Sequence, residues 1–355
     1  MDLAQAQKNH QIVNFTLASL LFLGLLYVFV CNEANVNYLI LPTPFQKPQV
    51  LASSSKSHAA TFNVTPYEKD ELLEEVLAET STQNKTMIIA MVNKAYVEGD
   101  KPMLDIFLHG FWLGENTRNL VDHLLIVAAD QTSYDRCKYL HLHCYKLKTD
   151  GVDFMGEKLY MSEDFINMMW RRTLFLTNVL KHGYNFIFTV DADVLWLRNP
   201  FPNLIQNQSI DIQISVDYFI GHPWSECRQR INTGFYMINS NHKTIALFDS
   251  WYAQKNKSEG LKEQDVLEKL MRRGLFRRLG IKARFLDTLY FSGFCQDSRD
   301  VRVVSTVHAN CCRSIHAKVT DLTSVIHDWK RFFANQTVPF RWSPHNACMD
   351  SWRNR

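Results

Sequence analysis

"FTVDADVLWLRNPFP", residues 188–202, is an apolar run that meets two aspartates one residue apart and then turns through Trp196, Arg198 and Pro200. The uncharged, aromatic and β-branched residues just before the aspartates read as the end of a buried strand. Residues i and i+2 of an extended chain project to the same side, so Asp191 and Asp193, separated by Ala192, are expected to reach one ion. Hard carboxylate oxygens suit Mg²⁺ or Mn²⁺, ions commonly held by one or two carboxylates together with substrate phosphates. Two solvated turn aspartates would share the spacing; the strand before and the apolar residues after favour the metal clamp. Trp196, Arg198 and Pro200 are expected to fix the loop that follows, with Trp196 as a sugar-stacking surface the competing reading.

From Lys85 onward strands and helices alternate. "TMIIAMVN" (86–93), "HLLIVAAD" (123–130), "NFIFTVDAD" (185–193) and "DIQISVD" (211–217) read as buried strands. Between them "MLDIFLHGFWLGEN" and "SEDFINMMWRRTLFLTNVLKHG" (162–183) carry a helical period, the second ending at Gly183. That rhythm predicts an α/β fold with a mostly parallel central sheet covered by helices on both faces. In open sheets of this kind ligands gather at the carboxyl ends of the strands, where Asp191 and Asp193 are expected. Neither a Walker-type nor a GxGxxG glycine cradle is present, so a diphosphate would be held by the metal instead.

The 355 residues suit one large domain with extensions, and 21% charged against 46% apolar residues is ordinary for a globular chain. A net charge of +3 without a dense basic stripe argues against a nucleic-acid partner. Arg272, Arg273, Arg277 and Arg278 read as a solvated helix face. "IVNFTLASLLFLGLLYVFVC", residues 12–31, is uncharged and matches the ~20 residues a helix needs to cross a bilayer. Lys8 before it and Glu33 after it put residues 1–11 in the cytosol, giving a type II signal anchor; a cleaved signal peptide is the rival. Residues 32–66, with "PTPFQKP" and "LASSSKSHAA", read as an exposed stem, and 67–355 as the lumenal domain. In "EKDELLEEVLAET", Leu72, Leu73, Val76 and Leu77 predict an amphipathic helix packed on that domain.

Sequons at Asn63, Asn84, Asn207, Asn256 and Asn335 all fall on the lumenal side. So do seven of the eight cysteines: Cys137, Cys144, Cys227, Cys295, Cys311, Cys312 and Cys348. Disulfides persist there, but the spacing leaves their pairing open, and an odd count leaves at least one thiol over. No spacing suits a zinc site.

"GYNFIFTVDADVLWLRNPFP", "NTGFYMINSN", "KEQDV", "LDTLYFSGFC" and "VHANCCRSI" together resemble the plant nucleotide-diphospho-sugar transferases of glycosyltransferase family 77. That family includes rhamnogalacturonan II xylosyltransferases and extensin arabinosyltransferases, and the likeness covers roughly residues 85–335. It implies a GT-A fold, a Golgi membrane setting, a UDP-sugar donor, Mn²⁺ or Mg²⁺, and retaining transfer to a cell-wall polysaccharide or glycoprotein acceptor. His308 resembles the late histidine that completes the metal site; an isolated histidine is otherwise a structural hydrogen-bonder. Asn232 and Gly234 of "NTGFYMI" resemble the strand start bordering the sugar pocket, with a bulged strand entry an equal reading. Gln264 and Asp265 match a polar pair near the anomeric carbon, and Asp265 is the one candidate nucleophile; the competing reading is acids at a helix N-terminus.

Four further residues, Arg171, Arg172, Asn93 and Lys318, are candidates beside these. Arg171 or Arg172 can pair with the diphosphate, but adjacent helical positions diverge by about 100°, so one at most points inward. Asn93, ending the first strand, is expected at the edge of the uridine pocket. Lys318 is either near the phosphates or solvated. Two other functions share parts of the pattern: a Mg²⁺-dependent phosphatase with an aspartate nucleophile, and a non-catalytic Golgi scaffold. The first lacks support in "VLWLRNP", where a Thr-rich turn would be expected, and the second is opposed by the retained Asp-x-Asp.

Overall fold

The computed structural model describes residues 70–149, 152–189, 192–226, 229–335 and 339–353. By compactness the chain divides into Met1–Ala59 and Ala60–Arg355, and every described residue lies in the second unit. The expected tail, anchor and stem, Asn63, Cys227 and Asp191 lie outside the described residues. No helix among those described is long and apolar enough to cross a membrane.

The order along the chain is α1 (Glu71–Thr80), β1 (Thr86–Val92), α2 (Lys94–Val97), α3 (Met103–Leu113), β2 (Leu124–Ala128), α4 (Gln131–Tyr139) and β3 (His143–Lys146). There follow α5 (Glu163–Lys181), β4 (Asn185–Thr189), β5 (Val194–Trp196), β6 (Ile212–Val216), β7 (Ile231–Ile238) and α6 (His242–Tyr252). The rest is α7 (Glu263–Arg272), α8 (Leu275–Leu279), β8 (Ala283–Phe285), β9 (Phe291–Gly293), β10 (Thr306–His308), α9 (Ile315–Ala334) and α10 (Asn346–Asp350). Helix starts are capped as the sequence allows: Asp70 accepts the Leu73 amide at 3.1 Å and Ser162 the Phe165 amide at 3.2 Å. Gly183, at φ +81°, lets the chain leave α5 in the left-handed region.

Seven strands form the main sheet in the order β3-β2-β1-β4-β7-β6-β8. Six run in one direction, and β7 lies antiparallel between β4 and β6. Each strand feeds two cores because successive side chains alternate faces. Ile88, Ala90 and Val92 of β1 pack with Phe107, Phe111, Leu322 and Trp329 of α3 and α9. Met87, Ile89 and Met91 pack with Leu73 and Leu77 of α1, Phe175 of α5, Phe248 of α6 and Val266 of α7. Leu72 does not join them: it is 58% exposed, because helical rotation carries it off the face that Leu73 and Leu77 share.

A second sheet, β5-β10-β9, sits beside the first. Its antiparallel register sets Val194 opposite His308 and Trp196 opposite Thr306, so the residue before β5 and the last residue of β10 are neighbours. Trp196 is fully buried and stacks on Phe111 with centroids 4.9 Å apart, which excludes it as an open sugar platform. Arg198 fixes the next loop: its guanidinium pairs with Glu115, donates to the Val304 carbonyl at 3.0 Å and covers the Trp329 ring. Among the described residues three disulfides are present, Cys137–Cys144, Cys295–Cys311 and Cys312–Cys348. The last two join adjacent half-cystines after β10 to the β9 loop and to the C-terminal α10. The four arginines 272, 273, 277 and 278 are exposed as expected.

Candidate active site

The carboxyl ends of β1 and β6 border one cleft with about 1080 Å³ of empty space, part of it open to solvent. Its wall is completed by α5, the start of α7, the turn after β10 and the N-terminal turn of α9. Asp193 lies at its base, fully buried. Lys318, on the first turn of α9, donates to Asp193 Oδ2 at 2.6 Å. His308 Nε2 stands 3.4 Å from Oδ1 but is not aligned as a hydrogen bond, so among the described residues Oδ1 is buried with no hydrogen-bond partner. Burial pushes this carboxyl up; Lys318 and His308 more than reverse that push and hold it well below the usual carboxylate range. Asp193 is therefore an anion with one oxygen unused.

Gly234 explains how His308 comes so close. A Cβ built there would lie 2.1 Å from His308 Cε1 and 2.6 Å from Asn232 Oδ1, so only glycine admits the imidazole. Asn232 in turn accepts the Gly234 amide and donates to Asp217 Oδ1, both at 2.7 Å. Asn310 donates to the same Asp217 oxygen at 3.0 Å. An unpartnered carboxylate oxygen beside an imidazole nitrogen fits a divalent cation. Among the described residues no three His, Cys, Asp or Glu side chains gather to hold one. The third ligand expected from the sequence, Asp191, lies outside them. Ala192 between the aspartates is not extended; it has φ +55°, a left-handed turn that alanine adopts only under tertiary constraint.

Of the other expected site residues, some reach the cleft and some do not. Arg172 lines it and Arg171 does not, the guanidinium of Arg171 donating instead to the Lys148 carbonyl. Arg172 is buried, donating to Glu263 Oε1 at 2.7 Å. Gln264 lines the cleft and accepts from the Thr233 amide at 3.1 Å and hydroxyl at 3.2 Å. Asp265 is absent from the lining, because the helix turns it away from Glu263 and Gln264. Burial pushes Asp265's carboxyl up, with Lys262 opposing. Glu263 takes the inner place, with Oε2 buried and unpartnered among the described residues. Asn93 lines the cleft, but its amide is committed to the Phe154 carbonyl at 2.8 Å and the Gly156 carbonyl at 2.9 Å, tying the loop around 154–156 to the end of β1.

The sequence reading did not single out Asp217, Glu263 or Glu157. Asp217 had the same mark as the Asp-x-Asp pair, an acid closing a buried strand. Glu263 was hidden by helix phase. Glu157, whose carboxylate accepts the Ile315 amide at 2.7 Å on the first turn of α9, had no local signal at all.

Residues 119–322 match the nucleotide-diphospho-sugar transferase family. An uncharacterised Arabidopsis thaliana protein is 50% identical across 92% of this chain and 97% of its own length. The Arabidopsis beta-arabinofuranosyltransferase RAY1 is 25% identical over 71% of this chain and 48% of its own. An Arabidopsis UDP-D-xylose:L-fucose alpha-1,3-D-xylosyltransferase is 24% identical over 43% of this chain and 37% of its own. The chain belongs to the nucleotide-diphospho-sugar transferase family. It is a glycosyltransferase, and its cleft is where that transfer is to be sought.

Proposed function

We propose that this chain is a retaining, divalent-metal-dependent glycosyltransferase of GT-A type that moves a pentose or hexose from a UDP-sugar to a cell-wall polysaccharide or glycoprotein. The observation that carries this reading is the buried Asp193, with Oδ1 unused beside His308 on the Gly234 floor. Asp193 and His308, with Asp191, would hold Mn²⁺ or Mg²⁺. When bound, that ion neutralises the diphosphate as the sugar–oxygen bond breaks. Lys318 adds a fixed ammonium at the same wall, and its bond to Asp193 keeps the carboxylate charged. Arg172 is spent on Glu263, so its part is to hold the α7 start and Gln264 in place.

In the transfer itself the bond from the anomeric carbon to the β-phosphate oxygen breaks, and its electron pair leaves with UDP. The acceptor hydroxyl oxygen bonds to that carbon from the same face, and its proton passes to the departing phosphate oxygen. No protein base is required, which suits a cleft where Asp265 is turned away. Gln264 and Glu263 are placed to hold the sugar hydroxyls.

The setting proposed is a Golgi membrane, with residues 12–31 as a type II anchor and the domain lumenal. Its supports are the three disulfides and the exposure of Asn84, Asn207, Asn256 and Asn335, each the acceptor asparagine of a sequon. The test of the activity is a panel of UDP-sugars given to the full chain with Mn²⁺, with Mg²⁺ and with EDTA, following UDP release. Release from one donor that stops with EDTA supports the reading; metal-independent release, or none from any donor by folded protein, refutes it.

A further inference from the structure

Where the wall of the cleft passes from Asp217 into the stretch leading to β7, the surface changes character. Tyr218 is 50% exposed, Ile220 40% and Trp224 57%, three large apolar side chains presented within seven residues. A loose polar loop would be the ordinary occupant of such a connection. From Tyr218 to Ser225 this one is uncharged, and its backbone is held. The Phe219 amide donates to Gln296 Oε1 at 2.8 Å, and Gln296 also accepts the Thr288 hydroxyl at 2.7 Å. The Pro223 carbonyl accepts the Phe285 amide at 2.7 Å, and the His222 carbonyl accepts Gln229 Nε2 at 2.9 Å. The Asp217 amide donates to the Arg230 carbonyl at 3.0 Å. The backbone is thus pinned to both sheets while the rings stand in solvent.

We infer that residues 217–224 form the acceptor subsite, a platform on which Tyr218 and Trp224 stack against the rings of a neutral glycan. Three observations commit the occupant. The stretch is continuous with the cleft, since Asp217 lines it and shares Asn232 with the Gly234 floor. Residues 218–225, "YFIGHPWS", carry no aspartate, glutamate, lysine or arginine, so a charged partner finds no complement there. Rigid aromatic rings on a fixed backbone offer flat apolar area at little conformational cost, which matches the C–H faces of a pyranose or furanose. The Asp217 carboxylate, steadied by Asn232 and Asn310, adjoins Tyr218 along the chain and can orient a hydroxyl of the ring stacked beside it.

This inference rests on the transferase reading for its occupant, and its test separates the two. Saturation-transfer NMR on the full chain would use methyl α-L-fucoside and neutral arabino- and xylo-oligosaccharides, in low and high salt. The same measurements would be made on Trp224→Ala and Tyr218→Ala, with UDP release from the donor in parallel. At least one neutral probe is expected to bind equally well in both salts. Binding should weaken about tenfold in Trp224→Ala, as loss of one aromatic contact implies. Failure of every neutral probe to bind the unaltered chain would overturn the platform, as would binding unchanged in both variants. Concentration-dependent dimerisation lost in Trp224→Ala would also overturn it, assigning the patch to a second copy. Sugar binding lost in the variants, with no UDP release by the unaltered chain, would keep the platform and sink the donor reading instead.

Discussion

Replacing Gly234 by alanine is the sharpest single perturbation of the site, because the structure states what the added methyl meets. The new Cβ would lie 2.1 Å from His308 Cε1 and 2.7 Å from Nδ1, whereas ordinary contact begins near 3.4 Å, so the ring must retreat by about 1.3 Å. The imidazole belongs to β10, which is paired on both sides, so the backbone cannot follow and the side chain must rotate away. That carries Nε2 from its place 3.4 Å from Asp193 Oδ1 and breaks the imidazole–carboxylate pair at the cleft base. A misplacement of about 1 Å at a reacting centre costs on the order of 100-fold in rate. Overpacking in a buried strand should also lower stability by about 1–3 kcal/mol. UDP release and thermal unfolding measured on the same preparation separate the two effects. Gly234→Ala that folds and retains activity within about twofold would refute the claim that His308 works from the position the glycine allows.

Two further outcomes follow from the same site. Arg172→Ala should destabilise the chain by about 3–5 kcal/mol, since it strands the buried Glu263 carboxylate, and Arg172→Met with Glu263→Leu should recover most of that loss in urea unfolding. Stability should fall as pH drops below about 4, because the Asp193 carboxyl is depressed in the folded state and near 3.9 when unfolded, so its contribution is present above the unfolded value and lost toward the folded one. The same titration on Asp193→Asn should show a shallower acid limb; an unchanged limb would mean Lys318 and His308 do not hold the charge.

Much of the fold was legible because burial writes itself locally. "TMIIAMV" and "LLIVA" are continuous apolar strands, as a sheet covered on both faces requires, and Ser162 and Gly183 bracket α5 as cap and exit. The reversal of β7 was not legible. "INTGFYMI" is buried along its whole length, so its pattern carries no direction, and pairing with β4 and β6 decides it. At the site, the Asp-x-Asp, glycine and late histidine motifs pointed to Asp193, Gly234 and His308, which do meet, while Asp191 lies outside the described residues. Helix phase was the weak point: "RR" and "KEQDV" marked the right turns of α5 and α7, but the sequence could not choose Arg172 over Arg171 or place Glu263 inside Asp265. Ala192 departs from the extended geometry assumed for it because the chain must leave β4 and enter β5 in a different sheet, a tertiary demand with no local trace. Trp196 is core and not the open platform of the competing reading, since "VLW" packs under α3.

The proposed transfer requires a divalent cation and a nucleotide diphosphate to meet at Asp193 and His308. Electron paramagnetic resonance of Mn²⁺ titrated with the full chain, with and without UDP, tests this most directly. The free-ion signal should fall on adding protein and UDP together, and it should fail to do so with Asp193→Ala or His308→Ala protein of unaltered thermal stability. Equal Mn²⁺ capture by those variants, or UDP binding that is indifferent to EDTA, would contradict the account.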